Sequence, residues 1–414
     1  MIIIKKYSLV FFVIFSCFCS VAQDKKLDYY LSAGVSNSPL LNDYRNQLLS
    51  NKIDSQILLA STRIQITGNG NSFYAPVING FGYDAVLTNG GQLQGLITAT
   101  KSLLPKKFLS SQFQDIQITG DSLRIVSRIS EQDLRRTIVT QYITVFGDQL
   151  QIDFNSTLVN LLSTEEIILK RLTQKNIYKQ VDYLSFLVTF QQQNLIQQQL
   201  EVQYKNDFAT LNYLSGIFDT TATQLAPPDI IGVRDFRKDS SPFFLKFKID
   251  SLRLINNKSL IDLGYRPHIN LFGDGGYQSS FMTQPYKNFG TSFGVSFILP
   301  IYDGRQKKLQ YSKLAIAERT RLRNKEFFEN QYNQQIAQLH QQLSAIENLL
   351  DPVNNQIKYI ETLIEADGKL LETGDIKMTD YVLAINNLIT AKNLVVQNTI
   401  NRYQVINQLN YWMR

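Results

Sequence analysis

The stretch YAPVINGFG, Tyr74 to Gly82, returns later in the chain as YRPHINLFG, Tyr265 to Gly273. The two stretches share their tyrosine, proline, isoleucine, asparagine, phenylalanine and last glycine, in the same order. Two similar stretches this far apart are the first indication that the chain contains an internal repeat.

A second set of markers follows the first in the same order. Asp182-Tyr183 recurs as Asp380-Tyr381, and Leu211-Asn212-Tyr213 recurs as Leu409-Asn410-Tyr411 with the same spacing between the copies. Because the markers are colinear, we predict that the chain consists of two copies of one structural unit.

The first 22 residues are typical of a secretory signal. They begin with two lysines, continue with an apolar run from Tyr7 to Phe18, and end with small residues before Gln23. Both cysteines of the chain, Cys17 and Cys19, lie in this segment, so a chain cleaved there has no disulfide or thiol chemistry. A lipid-modified Cys17 is the alternative interpretation.

The charge of the chain argues against nucleic-acid binding. The formal net charge is +7, but the lysines and arginines form no polybasic cluster, and an exported protein would rarely meet nucleic acid. No stretch after the signal reaches the roughly 18 apolar residues of a transmembrane helix. Any insertion into a membrane would therefore use strands.

Each half of the chain has the same order of expected elements: a helix, a pair of strands, and a long helical hairpin. We expect the first repeat at residues 23–217, a linker at 218–241 and the second repeat at 242–414. The shorter elements are expected as a helix from about Leu27 to Thr62, strands near Phe73 to Tyr83 and Gly91 to Lys101, a helix from Pro242 to about Leu263, and strands near Pro267 to Phe281 and Phe289 to Leu299.

The last of these strands has the clearest alternation. Large side chains at Phe289, Phe293, Val295 and Phe297 alternate with glycines and serines. A strand with one apolar face and one face of small, polar residues is typical of a membrane barrel with a water-filled interior. We leave the orientation of the first strand open.

The long hairpins turn at residues with special backbone freedom. A helical stretch from Tyr302 to Leu371 must turn at Thr373-Gly374, because a second helical pattern begins just beyond. The repeat places the matching turn at Asn176, and asparagine is a common substitute for glycine in a left-handed turn. Segments Ile116 to Gly120 and Tyr142 to Gly147 are partly β-like, and we expect breaks in the helix there.

Four strands are too few to close a membrane barrel. The smallest such barrels have about eight strands, and an open edge in lipid leaves unpaired backbone groups that cost several kcal/mol each. Closure must therefore come from identical copies. A dimer would supply eight strands and a trimer twelve.

Two longer motifs resemble the TolC family of outer-membrane efflux proteins. The pattern GVSFILPIYDGRQKK, Gly294 to Lys308, is similar to the family's strand-to-helix signature, and LLETGDIKMTDYVLAINNLITAKN, Leu370 to Asn393, is similar to its helical tip. The resemblance covers essentially the whole mature chain. It implies a mainly α protomer with membrane β-structure, in which long helical hairpins form a periplasmic α-barrel and four strands contribute to a trimeric, twelve-stranded β-barrel.

The resemblance also implies partners and a location. It implies a homotrimer in the outer membrane of a Gram-negative bacterium, in contact with membrane lipid and with a large periplasmic portion. The partners implied are a periplasmic adaptor and an inner-membrane pump or secretion transporter, and the function is passive export in a tripartite efflux or type I secretion system.

Family members carry an acidic constriction just after the turn glycine. Asp380 occupies the place of its first aspartate, while Leu383 stands where a second acid would be, and Asp182 is the repeat counterpart of Asp380. The alternative is that both acids are exposed helix-start residues favoured by the helix dipole. The residues that we expect at the tip turns or in contact with an adaptor are Gly374, Asn176, Leu370, Leu371 and Thr373.

No pattern in the sequence indicates an enzyme, and we expect no cofactor or metal. His268 and His340 have no neighbouring ligand at metal-binding spacing, and Asp303 is explained as a helix cap. No GxSxG, HExxH or P-loop motif occurs, so a hydrolase is the least supported of the functional hypotheses. The alternative to a channel is an exported periplasmic coiled-coil adaptor or spacer that does not insert in the membrane.

Overall fold

The computed structural model describes residues 26–83, 91–232, 240–280 and 285–414. The expected signal at residues 1–22 lies outside this part of the chain, as do Cys17 and Cys19. The described residues form long helices and one four-stranded sheet. Within these ranges the α-helices are α1 (Leu27–Asn37), α2 (Pro39–Ser61), α3 (Lys106–Gln174), α4 (Gln180–Leu214), α5 (Pro242–Gly264), α6 (Gln306–Thr373) and α7 (Met378–Met413). Within the described residues, no helix has a stretch long and apolar enough to span a membrane.

The opening helix is divided, although we expected one helix from Leu27 to Thr62. The break falls at Ser38, whose backbone is extended, and α2 begins at the next residue, Pro39. Proline disfavours a helical conformation in the residue before it and is well suited to the first turn of a helix. The Ser38 hydroxyl accepts a hydrogen bond from the Leu41 backbone amide at 3.4 Å, which caps α2.

Helix α3 is continuous, so the breaks expected at Ile116 to Gly120 and Tyr142 to Gly147 are wrong. The fully buried residues Ile138, Tyr142 and Val145 follow helical spacing, and burial of this face favours the helix over the local β preference. The glycine at 147 allows close packing, because a Cβ there would lie 2.3 Å from the Ile400 Cδ1 atom.

Asp303 caps helix α6, as the sequence predicted. Its carboxylate accepts hydrogen bonds from the backbone amides of Arg305 at 2.9 Å and Lys307 at 2.8 Å. These amides have no acceptor within the helix, so the cap fixes the start of α6 directly after the sheet.

The sheet has four antiparallel strands in the order of the chain. The strands are β1 (Gln65–Tyr74), β2 (Gly91–Leu103), β3 (His268–Ser279) and β4 (Phe289–Ile298), and each is paired with the next. Consequently β1 and β4 each have one neighbour in this sheet and form its two edges.

The first strand lies earlier in the chain than we predicted. It contains the asparagines and glycines of residues 68–71, whereas we expected the strand to run from Phe73 to Tyr83. These residues have low strand propensity, but the hydrogen bonds to β2 hold them in the sheet. The strand ends before Pro76, and Asn79 and Gly80 have positive φ in a turn bridged by Ile78 and Phe81. YAPVINGFG is therefore mostly loop, whereas YRPHINLFG enters β3, so this pair of motifs marks no equivalent structure.

The strand register gives the sheet one apolar face and one polar face. Side chains of paired residues point to the same face, so the alternation in each strand adds to that of its neighbour. The apolar face also settles the orientation of β1, which contributes Ile66 and Tyr74 to it. Its other large apolar members are Leu93, Ile97, Leu103, Ile269, Leu271, Tyr277, Phe289, Phe293, Val295 and Phe297, and Lys101 is the basic residue on this face. The polar face carries Gln65, Thr67, Asn69, Asn71, Gln92, Gln94, Thr98, Thr100, Asn270, Asp274, Gln278, Ser292 and Ser296, together with four large apolar residues, Phe73, Leu96, Phe272 and Ile298.

The described chain divides into two compact units. The hairpin unit comprises residues 26–33, 138–229 and 352–400, and its core is built from α3, α4, α6 and α7 around Phe186, Leu371 and Tyr381. The sheet unit comprises residues 34–137, 230–351 and 401–414. Besides the sheet, it contains a buried cluster of Leu339, Val405 and Leu409.

Candidate functional site

The two turns of the hairpin unit have the same backbone geometry. Asn176, between α3 and α4, has φ 59°, and Gly374, between α6 and α7, has φ 80°. In each turn the amide after this residue donates to a carbonyl five positions earlier: Ile177 to Leu172 at 3.0 Å, and Asp375 to Leu370 at 3.0 Å. This Schellman arrangement satisfies carbonyl groups that the helix end would leave unpaired.

The two turns are in direct contact. The Tyr178 hydroxyl lies 3.0 Å from the Ile376 carbonyl oxygen and 3.3 Å from the Leu371 carbonyl oxygen, and it can donate to either. On the same side, a Cβ at Gly374 would lie 2.6 Å from the Ile177 Cγ2 atom. The turn of the first hairpin therefore packs against the backbone of the turn of the second hairpin.

The expected adaptor-contact residues have different environments. Leu371 is fully buried in the core of the hairpin unit, so it stabilises the fold and offers no surface. Leu370 and Thr373 are exposed. The Thr373 hydroxyl lies 2.7 Å from an Asp375 carboxylate oxygen and 3.1 Å from the Leu370 carbonyl oxygen, which shapes the outer side of the turn.

Asp182 caps helix α4. It is half-buried at the third position of the helix, and one of its carboxylate oxygens accepts a hydrogen bond from the Lys179 backbone amide at 3.3 Å. A carboxylate in this place satisfies an otherwise unpaired amide and interacts favourably with the positive end of the helix dipole. The local role of Asp182 is thus structural.

Asp380 is the more exposed of the two candidate gate residues. It lies in the first turn of α7, where its backbone amide donates to the Lys377 carbonyl oxygen and its carboxylate accepts from the Thr379 hydroxyl at 3.4 Å. Burial raises the pKa of the nearby Asp367, and the negative charge of Asp380 adds to this rise.

Near Asp380 lies an acidic cluster that the sequence did not predict, in which Asp367 is buried and Glu165 is half-buried. Glu165 from α3, Asp367 from α6 and the fully buried Tyr381 from α7 form this cluster. Burial raises the pKa of Glu165, the Tyr381 hydroxyl opposes that rise, and the charge of Glu372 adds to it. Burial also raises the pKa of the Tyr381 hydroxyl, and the charges of Glu165 and Asp367 contribute.

Helical spacing contained a signal for these acids. Asp367 follows Ile364 by three residues and precedes Leu371 by four, which makes it a core position of α6. Glu165 holds the corresponding place between Leu162 and Leu169 of α3. An acid inside an apolar stripe predicts a buried carboxyl group, although the sequence does not say which helix packs against it.

The histidines do not form a metal site with other residues. His268 lies at the start of β3 with its Nε2 atom 3.4 Å from the Gly264 carbonyl oxygen, and His340 is exposed on α6. In the part of the chain that the structure describes, no group of three or more histidines or acids could hold a metal ion.

Comparison with known proteins identifies the fold. No family model matches the chain, and no curated protein matches it. Solved structures do match. A membrane protein from Pseudomonas aeruginosa has a TM-score of 0.74 and 13% identity, over 94% of each chain.

Two further matches are outer-membrane proteins. VceC from Vibrio cholerae has a TM-score of 0.74 and 11% identity, over 94% of this chain and 95% of its own. The MtrE outer membrane channel from Neisseria gonorrhoeae, solved in its open state, has a TM-score of 0.71 and 11% identity, over 94% of this chain and 88% of its own.

At this identity the likeness shows the fold. The chain has the fold of these outer-membrane proteins over nearly its whole length, so the mainly α fold with a four-stranded sheet that the resemblance implied is confirmed.

Proposed function

We propose that this protein is a passive exit duct across the outer membrane of a Gram-negative bacterium, as part of a tripartite efflux or type I secretion system. The observation that carries the proposal is the sheet, whose register places most of the large apolar side chains on one face and most of the amides and hydroxyls on the other. An outer face in lipid and an inner face in water would require this division.

The edges of the sheet favour assembly from identical copies. Strands β1 and β4 each have one partner in the sheet, and an edge exposed to lipid would leave unpaired amides and carbonyls. We propose that three copies pair β1 of one with β4 of the next and close a twelve-stranded wall. The fold shared with a known outer membrane channel supports this arrangement.

An exposed apolar stripe in the hairpin unit also favours assembly from identical copies. Helix α4 carries five aliphatic side chains that are each more than half exposed, with the 3-, 4- and 7-residue spacing of a coiled-coil seam. A neighbouring copy would bury them, which gives the homotrimer a second contact surface. The stripe consists of Val181, Leu184, Val188, Leu195 and Val202.

We further propose that the hairpin tips lie in the periplasm, where an adaptor linked to an inner-membrane pump docks. Exposed Leu370 and Thr373 flank the Gly374 turn and would contact the adaptor, and Asn176 lies at the equivalent turn of the first repeat. In a trimer, three exposed Asp380 carboxylates would form a ring that narrows the duct. Asp182 is a weaker candidate for this ring because its carboxylate already caps α4.

Two matched variants of one strand test the proposed duct. Val295 lies on the apolar face and Ser296 on the polar face. Val295→Arg places a charge against lipid, which costs about 2–4 kcal/mol near the membrane centre, whereas Ser296→Arg places it in the aqueous interior. We expect the purified wild-type protein and Ser296→Arg to give discrete conductance in planar bilayers, and Val295→Arg to lose assembly in the membrane.

The alternative is a periplasmic adaptor or spacer. A wild-type protein that stays monomeric in water without detergent and conducts no current would exclude the duct and favour this alternative. Equal behaviour of the two arginine variants would show that the apolar face does not contact lipid.

A further inference from the structure

A basic pocket lies where three helices meet the sheet, within the sheet unit. Its volume is about 550 Å³, and α3, α5 and α6 contribute to its walls. Four basic side chains line it, with one acidic side chain among them. The basic residues are Lys107, Lys258, Arg266 and Lys307, and the acid is Asp262.

Only one of these cations has a carboxylate partner among the described residues. The Lys307 ammonium lies 2.9 Å from an Asp262 carboxylate oxygen, and Tyr311 donates to the same oxygen. These two hydrogen bonds, with Tyr311 first, lower the pKa of Asp262, and the charges of Lys307 and Lys258 add to the effect.

Four cations thus share one acid in the lining of this pocket. Within the described part of the chain, Lys107, Lys258 and Arg266 form no ion pair, and the Lys258 ammonium lies over the Tyr311 ring at 5.8 Å from its centroid. Three like charges around one cavity repel each other, and an anion bound there would relieve the repulsion. The guanidinium of Arg266 is suited to bidentate contact with a phosphate.

The place of the pocket in the fold indicates where the anion comes from. Arg266 precedes the start of β3 by two residues, and Lys107 follows the end of β2 by four. At this same end of the sheet, Leu299, Ile301 and Tyr302 follow β4 and are exposed. Exposed tyrosine beside apolar residues at the end of an apolar sheet face is typical of the boundary between membrane and water.

We propose that the basic pocket binds the phosphate of a glycerophospholipid headgroup, with the acyl chains lying along the apolar face of the sheet. This inference rests on the proposed function, because it requires that face to contact the membrane. Basic side chains at the membrane surface attract anionic lipids, and a pocket holds the headgroup in one position. A bound lipid would fix the depth of the sheet in the membrane.

Lipid retention by the purified full-length protein tests this site. We would titrate the detergent-solubilised protein with phosphatidylglycerol, with uncharged diacylglycerol and with inorganic phosphate, and count bound molecules by native mass spectrometry. The test variant is Lys107→Gln/Lys258→Gln/Arg266→Gln. The matched control is Lys246→Gln/Lys248→Gln/Lys313→Gln, which removes three exposed lysines of α5 and α6 that do not line the pocket.

We expect phosphatidylglycerol to bind the wild-type protein and the control equally, and the test variant about 100-fold more weakly, at roughly fivefold for each basic residue. Diacylglycerol should not be retained. Equal retention by the test variant and the wild type would overturn the proposal. Inorganic phosphate that binds as tightly as the lipid and displaces it would also overturn it, because the ligand would then be a free anion.

Conductance in planar bilayers of uncharged lipid separates this proposal from the proposed function. A conducting wild-type protein whose test variant still retains phosphatidylglycerol would exclude the lipid site and leave the duct intact. A wild-type protein that never conducts would exclude the duct, and the lipid site with it. Conduction by the test variant together with lost lipid retention would support both.

Discussion

The Tyr178 hydroxyl lies 3.0 Å from the Ile376 carbonyl oxygen, and this contact links the turn of the first hairpin to the turn of the second. The two residues occupy equivalent places in their repeats, since Ile376 follows Tyr178 at the same spacing that separates Asp182 from Asp380. The repeats are thus equivalent in backbone at the turns and different in side chain. That difference lets one turn bind the other.

Removal of this hydroxyl should loosen the tip without unfolding the protein. Tyr178→Phe keeps the buried ring and leaves the Ile376 carbonyl without its donor, at a cost of about 1 kcal/mol. We expect amide hydrogen exchange near residues 376–381 to become about fivefold faster. Tyr359→Phe removes an exposed hydroxyl of α6 and is the control, with no expected change. Unchanged exchange in Tyr178→Phe would show that water replaces the contact.

Substitution of the two left-handed turn residues should destabilise the protein at Gly374 and have little effect at Asn176. Gly374→Ala places a methyl group 2.6 Å from Ile177 Cγ2 and forces an L-residue to φ 80°, which costs about 1–2 kcal/mol before the clash is counted. Asn176→Gly removes the same strain and should change stability by less than about 0.5 kcal/mol. Denaturation midpoints of the two variants measure the difference. A Gly374→Ala midpoint equal to the wild type would mean that the turn adapts.

The sequence predicted those elements in which local preference and tertiary packing agree. Strand β4, Phe289–Ile298, alternates in size along its length, and the expected strand ended one residue later. Helix α5 begins at the expected Pro242, because proline favours the first turn of a helix.

The sequence did not predict the elements in which tertiary packing overrides the local conformational preference of the residues. Strand β1 contains glycines and asparagines, which have low strand propensity, and its pairing with β2 stabilises the strand conformation. Glu165 and Asp367 occupy apolar stripes of their helices, but only the packing of α3, α6 and α7 shows that they form one cluster with Tyr381. Long-range pairing of this kind leaves no local signal.

A carboxyl pair, buried Asp148 on α3 and half-buried Asp207 on α4, should contribute stability to the hairpin unit in acid. Burial raises the pKa of Asp148 from 3.8 to about 7, the hydrogen-bonded carboxyl of Asp207 and its charge add to the rise, and Gln203 opposes it. Because the folded chain holds this proton more tightly than the unfolded chain, the contribution of Asp148 to stability is greatest below pH 3.8 and is lost as the pH rises through about 7.

The variant Asp148→Asn is neutral at every pH and should remove this loss. We expect its thermal midpoint to exceed that of the wild type at pH 8, by about 2–4 °C for each kcal/mol recovered, and to match it in acid. The control is Asp153→Asn, an exposed acid of the same helix. Parallel pH profiles for the wild type and Asp148→Asn would show that the pair does not share a proton in the folded protein.

The proposed ring of Asp380 carboxylates predicts a specific change in conduction. A carboxylate ring that narrows the duct would bind divalent cations, which obstruct it, so Asp380→Asn should raise basal conductance in planar bilayers or weaken its block by divalent cations several-fold. It should also relax the raised pKa of Asp367, because the Asp380 charge contributes to that rise. Asp182→Asn is the control, since its amide oxygen can still accept the hydrogen bond from Lys179 that caps α4.

The two aspartates are then distinguished by a single comparison. A change in conduction for Asp380→Asn alone supports the ring at the start of α7, whereas a change for Asp182→Asn alone would move the constriction to the first hairpin. Identical conduction in the wild type and both variants, with and without divalent cations, would leave both carboxylates as helix-start residues. In that case the duct would have to be narrowed by apolar side chains such as Leu383, which is exposed one turn beyond Asp380 where a second acid was expected.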